Sequence, residues 1–290
     1  MTYRNKMGLP STVAREVRAE AKRTASNSWL EFLERCGYVI RGVTYAVMGG
    51  LALGLALGIG GAATDQSGSV VVLSEGPAGK VLLFAVVIGL GAYSIWGFVR
   101  AIYDPLNRGN DPEGIAERLG FAWSGTAYAA IVIFALRLLA GSGASAAHDS
   151  TQAAIARILA YPAGHLIAVA IGIVTIGIGL GQFVDAYRAI FKKDLKRVQM
   201  KRAEKKIVDT LGRFGYFSRG VTFTLVGWFV LQGGLHNDSS QVHGFTGVFL
   251  FLLGQPFGRL ILGIVALGFV ALGLHSLACA RWSRLLGSTG

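Results

Sequence analysis

The chain has 290 residues, of which 52% are hydrophobic and only 15% charged, and its mean hydropathy is +0.51. Soluble domains carry about 25% charged residues, so an ordinary soluble globule and a polar disordered chain are both excluded. Two cysteines, Cys36 and Cys279, are too few for a disulfide scaffold or a cysteine-rich metal module, and a net charge of +12 in so apolar a chain points to the inner face of a membrane, not to nucleic acid.

In chain order, residues 1–32 read as a basic cytoplasmic tail. It lacks signal-peptide character, since the first apolar run begins near residue 38. Ser28-x-x-Glu31 forms a capping box ahead of Leu30, Phe32 and Leu33, and Trp29 suits the membrane interface. Six charge-free stretches follow, at 42–64, 81–99, 119–136, 158–184, 220–237 and 260–280. Each has about 18 or more positions, enough for a helix across a ~30 Å hydrocarbon core. They are too long and continuous for β-barrel strands. Lys and Arg set the orientation: 24 of 28 lie in 1–41, 100–118, 188–219 and 281–290, with Lys80, Arg137, Arg157 and Arg259 near the opposite ends. That asymmetry places both termini in the cytoplasm and leaves the two thiols reduced.

The chain repeats itself three times. Arg35, Arg118 and Arg213 align, as do Gly37, Gly120 and Gly215, then Tyr38, Phe121 and Tyr216, then Gly42, Gly125 and Gly220, then Tyr45, Tyr128 and Phe223. The second half of each repeat opens with Pro77-Ala78-Gly79, Pro162-Ala163-Gly164 or Pro256-Phe257-Gly258. Each repeat is therefore a helical hairpin, and with two spans apiece the three share one orientation. The expected fold is an all-α integral membrane protein, six transmembrane helices as three parallel hairpins around a pseudo-threefold axis. Its parts are the tail 1–32, repeat 1 at 33–103, repeat 2 at 104–187, a linker at 188–211, repeat 3 at 212–283 and a C-terminal tail at 284–290. The pattern resembles the bacterial membrane family called Domain of Unknown Function 1206, over about residues 33–283. The resemblance implies six spans in three pairs, in the bacterial inner membrane, and carries no catalytic residues. Repeat 2 departs from it: Ser124 replaces the arginine of Arg41 and Arg219, and His165 stands where Lys80 and Arg259 do.

The repeated arginine and aromatic at the start of each odd helix suit the headgroup layer, and the glycine after them allows close helix approach. The prolines suit the first turn of each even helix. The short apolar runs before them read as helices or re-entrant turns at the outer surface.

Four groups of residues are candidates for function. Arg35, Arg118 and Arg213 form one cytoplasmic tier and Arg41 with Arg219 a deeper one, for lipid phosphate or for an anion. Gly50, Gly54 and Gly58, with Gly177 and Gly181, have the spacing of helix packing or of a partner face. Arg188, Lys192, Lys193, Lys196, Arg197, Lys201, Arg202, Lys205 and Lys206 make a basic amphipathic helix continuing the fourth span, with Tyr187, Ile190, Phe191, Leu195 and Val198 as its apolar stripe, for anionic lipid or an acidic partner. His148, His236 and His243 with Asp149 and Asp238 have no recognised metal spacing, and His275 lacks a facing histidine for haem. No enzyme motif accompanies them. The reading is a non-catalytic scaffold or accessory subunit with no cofactor. Its partners would be membrane lipids, anionic ones above all, and another membrane protein or a second copy; nucleic acid is not expected. The alternative is a channel or carrier along the axis, lined by Thr44, Tyr45, Thr126, Tyr128, Thr222 and Thr224. An axis plugged by apolar side chains would count against it.

Overall fold

A computed structural model describes residues 28–75, 77–104, 109, 111–141 and 150–282. The tail 1–27, His148, Asp149 and the C-terminal tail 284–290 lie outside the described residues, as do the side chains of Ser28, Trp29 and Glu31. The described residues are helical: α1 (Ser28–Leu57), α2 (Gln66–Ser74), α3 (Gly79–Tyr103), α4 (Pro112–Leu139), α5 (Ser150–Leu159), α6 (Gly164–Arg188), α7 (Arg202–His236), α8 (Phe245–Leu253) and α9 (Gly258–Trp282). Short 3-10 turns occupy Ile190–Asp194, Arg197–Gln199 and Ser239–Gln241.

Five segments are long and apolar enough to cross a membrane: Arg35–Leu57, Gly79–Tyr103, Gly114–Leu139, Gly164–Arg188 and Gly258–Trp282. The longest helix, α7, is not among them, because it opens with a charged stretch and keeps Arg219, Gln232 and His236 in its apolar part. Charge also proved a poor ruler for helix ends. The stretch 42–64 is cut at Leu57, because Gly58, Gly60 and Gly61 take positive φ. The stretch 158–184 begins in α5 and its turn, and α6 then runs on to Arg188, where Ala189 turns left-handed at φ 52°.

Each short helix folds back onto the next long one through a Pro-x-Gly turn. The prolines stand two residues before α3, α6 and α9, not in their first turns. The glycine is required, since a Cβ on Gly79, Gly164 or Gly258 would strike the carbonyl oxygen of Ser74, Ile158 or Leu253. Gly258→Ala is expected to cost about 1–3 kcal/mol through this forced shift. Gly254→Ala, whose Cβ would meet nothing closer than 3.6 Å, is expected to be neutral; thermal melts followed by circular dichroism in detergent compare the two.

The tightest helix pairs join neighbouring repeats: α6 with α7, α9 with α1, and α3 with α4. One backbone contact recurs in all three. A Cβ on Gly42 would lie 2.9 Å from the Gly273 carbonyl, on Gly125 3.0 Å from that of Ser94, and on Gly220 3.1 Å from that of Gly179. These glycines let the backbones meet. Within a repeat, Gly37 abuts Tyr93 and Gly215 abuts Leu272, but Gly120 has nothing within 4 Å. Accordingly α4 and α6, the two helices of the second repeat, make no substantial contact with each other. The long helices thus follow the order α4, α3, α1, α9, α7, α6, with a seam between the first and the last.

The half of the bundle remote from Arg35 and Arg118 is filled. Met48, Phe249, Phe269, Leu262 and Val248 are all fully buried there. The short helices do not merely lie on the surface, for Val70 of α2, Ile155 of α5 and Phe249 of α8 insert into the core.

Candidate functional site

At the basic end, the aligned arginines do not form a ring. Arg35 donates to the carbonyls of Ala280 (2.7 Å) and Arg281 (3.2 Å) at the end of α9. Arg118 donates to those of Ala101 (2.8 Å) and Ile102 (3.2 Å) at the end of α3. Both satisfy helix C-terminal carbonyls that would otherwise lack a partner. Arg213 is exposed. The first tier is thus a set of inter-repeat clasps at two of its three positions.

In the deeper tier Arg41 is buried and Arg219 half-buried. Arg41 is 8% exposed, and its Nη1 donates to the Tyr93 hydroxyl at 2.7 Å. The guanidinium carbon lies 5.7, 5.5 and 5.9 Å from the ring centres of Tyr45, Tyr93 and Tyr128. Arg219 lies 6.0 Å from Tyr45 and 5.1 Å from Phe223. Tyr93 meets Tyr38 and Tyr128 edge-on at 5.4 and 5.0 Å. Of the aromatics expected at the interface, Tyr38 is therefore interior, and the Tyr45 and Tyr128 rings, one repeat position deeper, are buried against the Arg41 guanidinium. The Nε atoms of Arg41 and Arg219 have no hydrogen-bond partner among the described residues.

Beside Arg41 lies a chamber of about 100 Å³, walled by α1, α3, α4, α7 and α9. A second buried arginine, Arg100 of α3, lines it and stacks on Trp96 (5.1 Å) and Phe121 (5.4 Å). Tyr93, Arg100 and Phe121 were not singled out as a site from sequence. The available signal was an arginine within the last turn of an apolar helix and a tyrosine two turns before it. Among the described residues, no carboxylate lines the chamber and α6 contributes no lining residue.

The linker is its floor. It does not continue α6 as a basic amphipathic helix; Ala189 ends the helix and the chain proceeds through two 3-10 turns. Tyr187 and Val198, expected on the apolar face, are 82% and 92% exposed, whereas Phe191 and Leu195 turn inward. The Phe191 ring stacks on Tyr216 at 5.3 Å and meets His275 edge-on at 4.8 Å. Leu195, Met200 and Val208 pack against Ala278, Cys279 and Trp282. The Lys196 amide donates to the Trp282 carbonyl at 2.7 Å. Two of the nine basic residues are engaged by Asp209, Arg197 at 2.6 and 3.2 Å and Lys192 at 2.9 Å. Lys193 pairs with Glu117 at 3.9 Å, while Arg188, Lys201, Arg202 and Lys206 are exposed. Lys196 and Lys205 are half-buried.

Burial opposes ionisation of Asp209, but its hydrogen bonds and charge pairing with Arg197 and Lys192 outweigh that and hold its carboxyl below the usual range. Its contribution is therefore complete above the unfolded carboxyl pKa of about 3.9 and is lost as pH falls through the lower folded value. Asp209→Asn is expected to lower the amide-exchange protection of residues 189–201 at pH 7, and acidification below the folded carboxyl value to lower it in the parent chain once the slower intrinsic exchange at acid pH is divided out; hydrogen-exchange mass spectrometry reads both.

The packing glycines are not those the spacing pointed to. Gly50, Gly177 and Gly181 are exposed and would meet nothing within 4 Å, Gly54 faces the Gly60 carbonyl, and Gly58 lies past the end of α1. The hydroxyls of Thr44, Thr126 and Thr222 donate to the carbonyls of Arg41, Ala122 and Ser218 on their own helices. His275 is buried, bonded through Nδ1 to the Val208 carbonyl at 3.1 Å. His236 contacts the Gln232 carbonyl and His243 the Phe229 ring. Among the described residues no three His, Cys, Asp or Glu side chains gather as a metal site.

These helices and their internal repeats define a repeat-built, helical membrane protein. The chain belongs to the family Domain of Unknown Function (DUF1206), whose model matches it three times, at residues 36–104, 119–189 and 214–283. It is 33% identical over 249 residues to the uncharacterized protein YxxB of Bacillus subtilis (strain 168), covering 86% of this chain and 90% of that one. No solved structure matches it.

Proposed function

We propose that the protein is a non-catalytic, non-conducting scaffold or accessory subunit of the bacterial inner membrane that binds lipid from within the bilayer. In this reading α7 is the sixth span, the three hairpins surround a pseudo-threefold axis, and both termini are cytoplasmic. The thrice-repeated glycine–carbonyl contact supports the symmetry, and the 24 basic residues at one end support the orientation. The observation that carries the function is the filled distal half: Met48, Phe249 and Phe269 occupy the core where a conduit would run, while the buried charged groups, Arg41 and Arg100, lie toward the basic end. A membrane conduit needs a polar lining or water along its length. The seam between α4 and α6 is the side on which lipid reaches the interior.

Proteoliposomes carrying the protein test this. Chloride, phosphate and proton flux are expected to equal those of protein-free vesicles. Flux that rises with protein content and saturates with solute would restore a channel or carrier along the axis.

A further inference from the structure

We propose that Cys279 is a modification site: hydrogen peroxide oxidises its thiol to a sulfenic acid, with His275 taking the thiol proton. The modification is stoichiometric and is independent of the lipid-binding reading above.

Hydrogen-bond geometry carries the inference. The Cys279 Sγ lies 3.5 Å from Nε2 of His275, one turn back on α9. The other ring nitrogen, Nδ1, lies 3.1 Å from the Val208 carbonyl of α7. A carbonyl only accepts, so Nδ1 carries the proton of the neutral ring and Nε2 presents its lone pair to the thiol. The S–H therefore donates to Nε2. Nucleophile, base and orienting group stand in the order of an activated cysteine. Side chains one turn apart on a helix often meet; this pair is set apart because other elements fix the ring. Phe191 and Tyr216 meet it edge-on at 4.8 and 6.0 Å. A Cβ on Gly212 would lie 2.9 Å from its Cε1. His275 is 3% exposed and has no room to turn away.

The pair faces the chamber of about 100 Å³, which Cys279 and His275 both line. Arg41 and Tyr93 line it with them, and the Arg41 Nε has no hydrogen-bond partner among the described residues. A guanidinium and a phenol beside a thiol suit a reactant whose leaving oxygen gains negative charge. Hydrogen peroxide is such a reactant, and it fits: a water needs roughly 10–15 Å³ of such space, and a peroxide about twice that. A disulfide or an acyl thioester brings a bulky carrier, and Phe191 and Leu195 close the floor against it.

The step turns one thiol and one peroxide into a sulfenic acid and a water. The thiol proton passes to Nε2 as sulfur attacks one peroxide oxygen. The S–O bond forms and the O–O bond breaks, so sulfur loses an electron pair and the peroxide gains it. The attacked oxygen keeps its hydrogen and stays on sulfur. The other leaves as hydroxide, takes the proton from Nε2 and departs as water, which restores the neutral ring. Such oxidation follows thiolate character, and Nε2 supplies it at the moment of attack.

The test uses the full chain in detergent, in a Cys36→Ser background, at pH 7. Hydrogen peroxide is added and catalase stops the reaction at set times. The chain is then unfolded in urea and SDS with dimedone, and peptide mass spectrometry counts the sulfenic adduct on Cys279. The same chain unfolded before peroxide is added gives the reference rate. Expected is an adduct formed at least about tenfold faster in the native chain than in the unfolded one. His275→Asn keeps a donor for the Val208 carbonyl but removes the base, and its native rate is expected to fall to the reference. A native rate at or below the reference overturns the proposal, and this comparison stands by itself should His275→Asn fail to fold. A native acceleration that survives in folded His275→Asn overturns it too. A bulky water-soluble maleimide is expected to label native Cys279 more slowly than the unfolded chain; acceleration of both reagents would mean an open thiol and overturn the part given to the chamber.

Discussion

Gly172→Leu is expected to disrupt the protein, whereas Gly177→Leu, five residues along the same helix, leaves its stability within about 0.5 kcal/mol. A Cβ on Gly172 would lie 2.6 Å from the Leu231 amide nitrogen and 2.7 Å from its Cα. The obstacle is backbone, so no rotamer change clears it. Facing it, a Cβ on Gly227 would lie 2.6 Å from the Ile176 nitrogen and 2.9 Å from the Gly172 carbonyl. The two helices can be this close only without side chains between them. Overpacking a tight site costs about 1–3 kcal/mol, and against fixed backbone the cost belongs at the upper end or above. Gly177 would meet nothing within 4 Å and faces outward. Thermal melts of the two variants in one detergent decide it. Equal melting points would mean that α6 and α7 do not pack as described.

Leu195→Ser is expected to open the chamber floor. Leu195 is 1% exposed and shares a small cluster with Met200 and Val208, pressed against the end of α9. Truncating a buried leucine costs about 2–5 kcal/mol, a large share of what so small a cluster supplies. The remaining ties are the Lys196–Trp282 hydrogen bond and the pairs of Asp209. Cys279 packs against this cluster and also lines the chamber, so its thiol reports the opening. In a Cys36→Ser background, Cys279 of the Leu195→Ser variant is expected to react at least tenfold faster with a water-soluble maleimide. An unchanged rate would mean that the linker does not cover the chamber.

The repeats were legible because their residues align by type and spacing, and the same residues make the inter-repeat contacts. What those residues do was less legible. An arginine and an aromatic at the start of an apolar helix read as interface anchors, yet Tyr38 turns into the bundle and Arg35 and Arg118 clasp the ends of neighbouring helices, and a one-dimensional pattern does not say which face has neighbours. The same blindness misled the glycine reading: Gly177 and Gly181 have the favoured spacing but face outward, while Gly172 and Gly179 carry the packing. The linker failed for a different reason. Its apolar residues recur as on a helix, but Phe191 and Leu195 gain more by filling the space under Tyr216 and Cys279 than an exposed amphipathic helix would gain, and Ala189 breaks the helix to let them. The chamber joins residues from five helices, and only the folded packing order brings Arg100 beside Arg41.

Electron cryo-microscopy of the full chain in phosphatidylglycerol nanodiscs tests the central claim most directly. Expected is lipid density at the seam between α4 and α6, and a distal half closed around Met48, Phe249 and Phe269. A water-filled path through the distal half, or a seam closed by direct contact of α4 with α6, would contradict it.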